Sequence, residues 1–321
     1  MKPRRAAFDF GEAPIPAGRT ATRELPVPSL VTGTHMSLPI RITHGREEGQ
    51  VVWISAALHG DEIGGVEIIR RVNLRLDPKR LRGTVLAIPI VNVHGFLTGD
   101  RYLPDRRDLN RSFPGSPGGS LASRIAHVFM SEIVRRCEIG IDLHTGSDHR
   151  ANLPQIRGNL DDERTRQLAR AFGPPLMLHA ALRDGSLRGA ATDAGATVLL
   201  YEGGEAWRFD DQAITVGASG TLRVLAELGM IDSEDAPLPV EPLESRASSW
   251  VRARRSGIAV TSVALGQQVT RGQHIAVIHD SLGKRLSQVN APFDGLVIGM
   301  TQHPLVHQGD ALVHVATLEQ P

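Results

Sequence analysis

The chain has 321 residues with a formal net charge of +1, and hydrophobic residues make up 41% of it. This length allows one large domain, or one large and one small domain, with a substantial core. The near-zero net charge argues against nucleic acid or an anionic membrane as the main partner, because those partners require a basic surface. Cys137 is the single cysteine, which excludes an intrachain disulfide and a secreted disulfide scaffold.

The N-terminal segment gives a first expectation about location. Residues 1–10 include basic side chains, but no apolar stretch follows them, so we expect no signal peptide. No apolar run in the sequence is long enough to span a bilayer. We therefore expect a cytoplasmic protein that acts without a membrane partner.

Apolar and amphipathic runs alternate along the first 230 residues. Residues 20–48 are predicted to form an extended lead-in with two β-prone pieces, at 22–30 and 36–43. Strands are then predicted at 51–58, 84–90, 139–143 and 198–201. Helices are predicted at 62–76, 121–136, 161–172 and 210–228, the second capped by Ser120 or Gly119. This alternation is typical of an α/β sheet covered on both faces, in which ligands bind at the carboxyl ends of the strands.

The pattern changes near residue 232. Residues 231–239 are acidic and contain proline, which is typical of a linker. Beyond residue 245, short β-prone runs are separated by glycine, and segment 268–273 recurs in weak form at 305–310, which indicates a small pseudo-symmetric β-sandwich. We therefore predict an α/β domain with an N-terminal β lead-in at 1–235 and a C-terminal all-β domain at 236–321.

The C-terminal pattern resembles the barrel-sandwich hybrid of biotinyl and lipoyl carrier domains. In such a carrier, a lysine at a hairpin tip is modified, and Lys284 lies in the comparable turn of this chain. The methionines that usually flank that lysine are missing here, so a structural lid is favoured over a carrier.

Two predicted strand ends carry side chains that suit a metal. His59 and Glu62 lie in a turn after the strand at 51–58, and His144 ends the strand at 139–143. Two imidazoles and one carboxylate are a ligand set of catalytic zinc, with one coordination position left open. The alternative is a solvated glutamate at a helix start and two strand-end histidines. We expect Asp61 to lie in the first turn of the helix, where it complements the helix dipole rather than binding metal.

Asp142 shares a strand face with His144 and either orients that imidazole or has a purely structural role. Further along, Glu202 ends an apolar strand and is followed by two glycines. A carboxylate with free space at the rim of the sheet is suited to act as a general base on water. Glu205 is the alternative base.

Residues 99–115 form a predicted loop rich in arginine and proline. Arg111 stands between apolar residues and next to Asn110, so the two can hold a carboxylate through the guanidinium and the amide. Arg101 could reach the oxyanion that forms on a scissile carbonyl. The alternative is an ordinary solvated loop.

Four segments together resemble the succinylglutamate desuccinylase/aspartoacylase family, a branch of the zinc carboxypeptidase superfamily. They are HGDE at 59–62, DLNRSFPG at 108–115, DLH at 142–144 and EGG at 202–204. The segments occur in the family's order and cover about residues 45–230. The resemblance implies a zinc-carboxypeptidase-like mixed sheet flanked by helices, with a C-terminal β domain that crowds the cleft against long peptides.

The resemblance also implies roles for individual residues. It implies one zinc ion per chain at His59, Glu62 and His144, with Glu202 as the general acid and base. In the same way it implies that Asn110 and Arg111 hold a substrate carboxylate and that Arg101 polarises the scissile carbonyl.

One departure from the family leaves selectivity open. Members selective for acylaspartate use a further arginine upstream of the catalytic glutamate. Arg183 and Arg188 are nearby, but neither lies in a motif that can be aligned.

The sequence therefore predicts a zinc-dependent amidohydrolase that cleaves the amide bond of a small anionic N-acyl amino acid. One alternative is a metallocarboxypeptidase acting on peptides, which would use the same residues. A second is a non-catalytic binding or carrier protein that uses its β domain. The sequence leaves the oligomeric state open, a homo-oligomer included.

Overall fold

The computed structural model describes residues 5–11, 13–29, 31–147 and 149–318. The outermost residues of both predicted domains, 1–4 and 319–321, lie outside the described residues, as does Leu30 at the end of the first β-prone piece. None of the helices in the described part combines the length and the hydropathy needed to cross a bilayer.

The α/β part of the chain contains nine strands and six α-helices among the described residues. The strands are β1 (Arg19–Val27), β2 (Met36–His44), β3 (Glu47–Ala56), β4 (Arg82–Ile88), β5 (Ile139–Gly146), β6 (Arg150–Gly158), β7 (Leu176–His179), β8 (Thr197–Glu205) and β9 (Leu243–Ser245). The helices are α1 (Gly64–Arg75), α2 (Val93–Thr98), α3 (Leu121–Glu132), α4 (Glu163–Phe172), α5 (Leu187–Asp193) and α6 (Asp211–Glu227).

One mixed sheet organises this part. Strands β4, β3, β5 and β8 are parallel neighbours in that order. Antiparallel strands β2 and β1 extend the sheet beyond β4, and antiparallel β6 extends it beyond β8. The carboxyl ends of three adjacent parallel strands, β3, β5 and β8, therefore meet at one edge, where ligands bind in α/β sheets.

Apolar residues on the two faces of the sheet build two cores. One face is covered by α1, α4 and α6 and includes Val52, Ile54 and Phe172. The other is covered by α3 and α5 and includes Trp53 and Phe129. Successive residues of β3 thus point to opposite cores, as the twofold period of a strand requires. The predicted α/β sheet covered on both faces is confirmed.

Several boundaries differ from the prediction. Helix α1 begins at Gly64, so Asp61 lies in the turn before the helix and its predicted place in the first turn is wrong. Strand β6 was not predicted, because its sequence RANLPQIRG interrupts apolar residues with proline and arginine. Ser120 is the N-cap of α3 and accepts a hydrogen bond from the Ser123 amide, as expected.

The C-terminal part contains only strands among its described residues beyond residue 245. They are β10 (Ser248–Arg252), β11 (Gly257–Thr261), β12 (Gln268–Val269), β13 (His274–His279), β14 (Arg285–Asn290), β15 (Gly295–Thr301), β16 (Leu305–Val306) and β17 (Ala311–Ala316). Strands β14, β13, β11 and β16 form a separate four-stranded sheet, while β15, β17 and β10 continue the large sheet beyond β6. An apolar core lies among these strands and includes Ile275, Val297 and Val313. The C-terminal all-β layer is confirmed, and the domain boundary at 235/236 stays a prediction.

Candidate active site

The carboxyl ends of β3, β5 and β8 bring the predicted metal and base residues to one place. His59 and Glu62 lie in the turn that follows β3, and His144 lies near the end of β5. His144 is paired in register with Glu202 of β8. Residues far apart in sequence are therefore adjacent because the strands that carry them are neighbours.

His59, Glu62 and His144 form a buried cluster that could bind a metal ion. One potential ligand atom from each residue lies within 4.8 Å of the others. The two carboxylate oxygens of Glu62 lie 2.8 Å from Nδ1 of His59 and 2.8 Å from Nδ1 of His144. Their role as metal ligands stays a prediction, but their potential ligand atoms lie close enough together to bind a single ion.

Each histidine of the cluster has a further carboxylate behind it. Nε2 of His144 donates to Asp142 over 2.8 Å, and Nε2 of His59 donates to Asp108 over 3.1 Å. Asp142 and Asp108 only accept hydrogen bonds, so they hold a proton on Nε2 of each ring. Nδ1, which faces Glu62, is then the nitrogen on the side of the potential metal site. Asp108 was not singled out from the sequence, although it starts the DLNRSFPG segment.

The charges in and around this cluster shift the pKa values of its side chains. Burial opposes ionisation of Glu62, but the two imidazoles overcome it and hold the pKa of the carboxyl well below its usual range. Burial opposes the charged form of His144, yet Asp142 and Glu62 raise its pKa well above the ordinary value. The cluster thus has the strong charge complementarity of a closely packed polar site.

Asp61 lies next to Glu62 in sequence and is buried like the cluster. Its backbone carbonyl accepts a hydrogen bond from the Trp207 amide over 2.9 Å. Burial, together with repulsion from Glu62, raises the pKa of its carboxyl to about 6. Asp61 is not part of the His59, Glu62 and His144 group, and the expectation that it is not a metal ligand stays a prediction.

The three predicted substrate-facing residues of the loop all line the same cavity as the cluster. Arg101 donates from Nη1 to Glu62 over 3.0 Å and from Nη2 to Asp108 over 3.2 Å. Oδ1 of Asn110 accepts from the Leu187 amide over 2.9 Å, so its amide nitrogen is the group left for a ligand. Arg111 is exposed, and its Nη1 donates to the Asn110 carbonyl.

Glu202 also lines this cavity. Its Oε2 accepts a hydrogen bond from Nδ2 of Asn152 over 2.8 Å, and its Oε1 lies 3.9 Å from Nη1 of Arg157. Glu205, the alternative base, instead lines a small neighbouring cavity, 3.6 Å from Nε of Arg208. The positions of the two carboxylates therefore favour Glu202.

The cavity has a volume of about 290 Å³, and arginine dominates its walls. Six arginines line it against two carboxylates, Glu62 and Glu202. The arginines are Arg101, Arg111, Arg150, Arg157, Arg183 and Arg188. Arg150 and Arg157 were missed from the sequence because both lie on β6, the strand that was not predicted.

Arg188 is the most unusual of these arginines. It is only 8% exposed, and its guanidinium donates to the carbonyls of Ala180 and Ala181 over 3.0 and 2.7 Å. Burial lowers its pKa to about 10, with repulsion from Arg157 and Arg183 adding to the effect. Within the described residues Arg188 has no carboxylate partner, so an anion in the cavity would relieve the repulsion.

The C-terminal strands contribute one wall of the cavity through Trp250 of β10. The Trp250 ring stacks on His314 of β17 with centroids 4.6 Å apart and planes 13° apart. The guanidinium of Arg150 lies over the Trp250 ring at 5.5 Å. Trp250 thus lines the cavity and supports the guanidinium of Arg150, which also lines it.

Known proteins resemble this chain over most of its length. The family model of the succinylglutamate desuccinylase/aspartoacylase catalytic domain matches residues 48–228. An N-alpha-acetyl-L-2,4-diaminobutyric acid deacetylase of Halomonas elongata is 27% identical over 293 residues, which cover 87% of this chain and 85% of that protein.

Solved structures show the same fold. A succinylglutamate desuccinylase/aspartoacylase from Rhodobacter sphaeroides is 26% identical with a TM-score of 0.83, over 94% of this chain and 96% of that one. The product-bound ectoine utilization protein EutE (DoeB) from Ruegeria pomeroyi is 22% identical with a TM-score of 0.84, over 94% of this chain and 97% of that one. Because the family model matches more than half of the residues, the chain belongs to the succinylglutamate desuccinylase/aspartoacylase family.

Proposed function

We propose that this protein is a zinc-dependent hydrolase that removes the acyl group from a small anionic N-acyl amino acid. The observation that carries the proposal is a single cavity onto which three features open: a buried His–Glu–His cluster, a separate carboxylate, and six arginines. The Halomonas relative is a deacetylase by name, which supports deacylation as the reaction class.

The chemistry of the cluster fits zinc. His59 and His144 would bind through Nδ1, and Glu62 would supply the third ligand. Zinc held by such a set supplies Lewis acidity for a carbonyl and lowers the pKa of a bound water. Asp108 and Asp142 would keep the two imidazoles in the tautomer that binding requires.

The other residues of the cavity would position the substrate and move the proton. Glu202 would take a proton from the attacking water and return it to the leaving nitrogen. Asn110 and Arg111 would hold the carboxylate of the amino acid, so that the amide bond lies at the metal cluster. Arg101 would stabilise the negative charge that develops on the acyl oxygen.

The arginine-rich wall favours an anionic amino acid side chain or acyl group. Arg157, Arg183 and Arg188 line the cavity, and Arg157 and Arg183 repel the guanidinium of Arg188, so a bound anion would lower the energy of this group of like charges. The diaminobutyric acid in the name of the Halomonas relative carries a second amine, which these arginines would repel. We therefore expect this chain to differ from that relative in substrate.

The size of the cavity favours a small substrate over a peptide. About 290 Å³ bounded by Trp250 accommodates an acylated amino acid but leaves little room for several residues. The C-terminal part, residues 236–321, would thereby exclude the substrates of a metallocarboxypeptidase. Lys284, the position comparable to a carrier lysine, lies in an exposed turn between β13 and β14, and no further feature favours a carrier.

A substrate panel tests the proposal. Purified protein would be assayed for release of free amino acid from N-acetyl, N-formyl and N-succinyl derivatives of acidic, neutral and basic amino acids, and from matched tripeptides. We expect hydrolysis of small N-acyl derivatives, with acidic ones preferred. Equal kcat/KM on tripeptides would favour a carboxypeptidase, and inactivity on the whole panel would contradict the proposed function.

A further inference from the structure

We infer that Asn152 is a positioning residue for Glu202, and that the C-terminal strand β15 holds it in place. The inference rests on the proposed function, in which Glu202 is the base. It concerns a residue of β6 that no motif marks and that makes its contact through an amide rather than a charge.

The contact is direct and buried. Nδ2 of Asn152 donates to Oε2 of Glu202 over 2.8 Å, and Asn152 is 7% exposed. The pairing of β6 with β8 shifts register between Asn152 and Gln155, opposite Gly204 and Glu202. Such an irregularity redirects side chains, and here Asn152 and Glu202 both line the cavity.

The chemistry of the donor matters as much as its position. An amide orients a carboxylate without neutralising it, whereas an arginine at the same distance would form a salt bridge and weaken the base. The nearest guanidinium, that of Arg157, lies 3.9 Å from Oε1 of Glu202, which is beyond hydrogen-bonding distance. The arrangement therefore fixes one oxygen of Glu202 and leaves the other available for water.

Gly299 of β15 keeps space for Asn152. It pairs with Asn152 across the antiparallel β6–β15 contact. A methyl group at position 299 would lie 3.1 Å from Oδ1 of Asn152, 3.2 Å from Cβ of His314 and 3.3 Å from Cη2 of Trp250. The backbone of Gly299 is outside the left-handed region, so alanine there would act through these contacts alone. The C-terminal part thus supports the base as well as closing the cavity.

The first test is Asn152→Ala, assayed with the best substrate of the panel. We expect kcat to fall on the order of 10- to 100-fold, because a small displacement of a base has an effect of that size. KM and metal content should stay near those of the unmodified protein. Gln155→Ala is the matched control, since Gln155 is a buried amide on the same strand that donates to the carbonyls of Leu153 and Ile298. It should lower stability with kcat retained.

A double-mutant cycle separates positioning from a general structural role. Glu202→Asp shortens the carboxylate and withdraws it from Asn152, while some activity is kept. If Asn152 acts through Glu202, adding Asn152→Ala to Glu202→Asp should lower kcat far less than it does in the unmodified protein. Gly299→Ala should lower kcat in the same direction as Asn152→Ala and add little to it.

The outcomes are distinguishable. If the protein is active and Asn152→Ala leaves kcat unchanged, this inference is overturned and the proposed function stands. The same holds if the effects of Asn152→Ala and Glu202→Asp on kcat multiply fully in the double variant. Equal losses of kcat in Asn152→Ala and Gln155→Ala would also overturn it. A protein inactive on every substrate of the panel would overturn the proposed function and this inference with it.

Discussion

The carboxylates behind the two histidines do as much to define the proposed metal site as His59, Glu62 and His144 themselves. Asp142 accepts from Nε2 of His144 and also from Oγ of Ser55, both over 2.8 Å. The sequence left two roles open for Asp142, orientation of the imidazole or a purely structural one, and the contact shows that it orients the ring. The hydrogen bond from Ser55 in turn holds the Asp142 carboxylate in place.

Replacing Asp142 with asparagine tests this arrangement. The amide can donate to Nε2 of His144 and so favours the tautomer with a proton on Nδ1, the nitrogen proposed to bind zinc. We expect zinc affinity to fall about 10- to 100-fold, measured by competition with a chromophoric chelator. Ser55→Ala, which removes only the outer hydrogen bond, should have a smaller effect, and a loss as large as that of Asp142→Asn would contradict the account.

Arg188 provides a second test at this scale. Arg188→Met should raise KM for an acidic N-acyl amino acid about 10- to 100-fold, because a hydrogen-bonded contact to a charged group is lost. The matched control is Arg223→Met: Arg223 is also 8% exposed and also donates to backbone carbonyls, those of Phe172 and Gly173, but it does not line the cavity. It should destabilise the fold and leave KM unchanged. Equal KM values in the unmodified protein, Arg188→Met and Arg223→Met would exclude a substrate-binding role for Arg188.

The site residues that lie in recognisable sequence motifs could be predicted, whereas those outside such motifs could not. His59, Glu62, His144 and Glu202 stand at the ends of apolar runs, and the structure brings them to one cavity. Asn152 is different because its role depends on a strand partner 50 residues away. No local pattern encodes that partnership, since it arises only when β6 pairs with β8.

At the scale of elements, the buried parallel strands were predictable because they are short continuous apolar runs. Strand β5 is buried along its whole length. Strand β6 carries Arg150 and Arg157, which line the cavity. These charged residues interrupt the apolar run by which a buried strand is recognised in a sequence. Sequence patterns therefore missed a strand that contributes three residues to the cavity, Arg150, Asn152 and Arg157.

The turn between β3 and α1 requires a glycine between His59 and Asp61. A methyl group on Gly60 would lie 2.0 Å from the carbonyl carbon of Gly95 and 2.3 Å from the amide of Phe96, both backbone atoms of α2. The two backbones pack so closely that α2 fixes the position of His59. The glycine is thus explained by close approach and not by a special φ angle.

Gly60→Ala should therefore destabilise the protein by about 1–3 kcal/mol, the usual cost of overpacking a tight contact. It should also weaken zinc binding, because relief of the clash moves His59. Chemical denaturation with and without zinc measures both effects. Gly118→Ala is the control, since a methyl group there meets nothing within 4 Å, and a loss of stability equal to that of Gly60→Ala would contradict the packing argument.

At the scale of the whole molecule, the site is assembled from both parts of the chain. The α/β part supplies the cluster, Glu202 and all six arginines of the cavity, and the C-terminal strands supply Trp250. The large sheet joins the two parts through the pairing of β6 with β15. The sequence indicated an all-β C-terminal part from its glycine-separated runs, but it could not show that β15 would pair with β6 next to Asn152. Pairing between distant strands is a property of the assembled fold.

The central claim is that the buried cluster holds a zinc ion on which hydrolysis depends. Metal analysis of the purified protein, followed by assay after chelation and after stepwise return of zinc, tests it most directly. We predict close to one zinc ion per chain, loss of hydrolysis on chelation, and recovery in proportion to the zinc returned. Replacement of His144 by alanine should abolish both binding and recovery. Full hydrolysis of an N-acyl amino acid by protein shown to contain no metal would contradict the account.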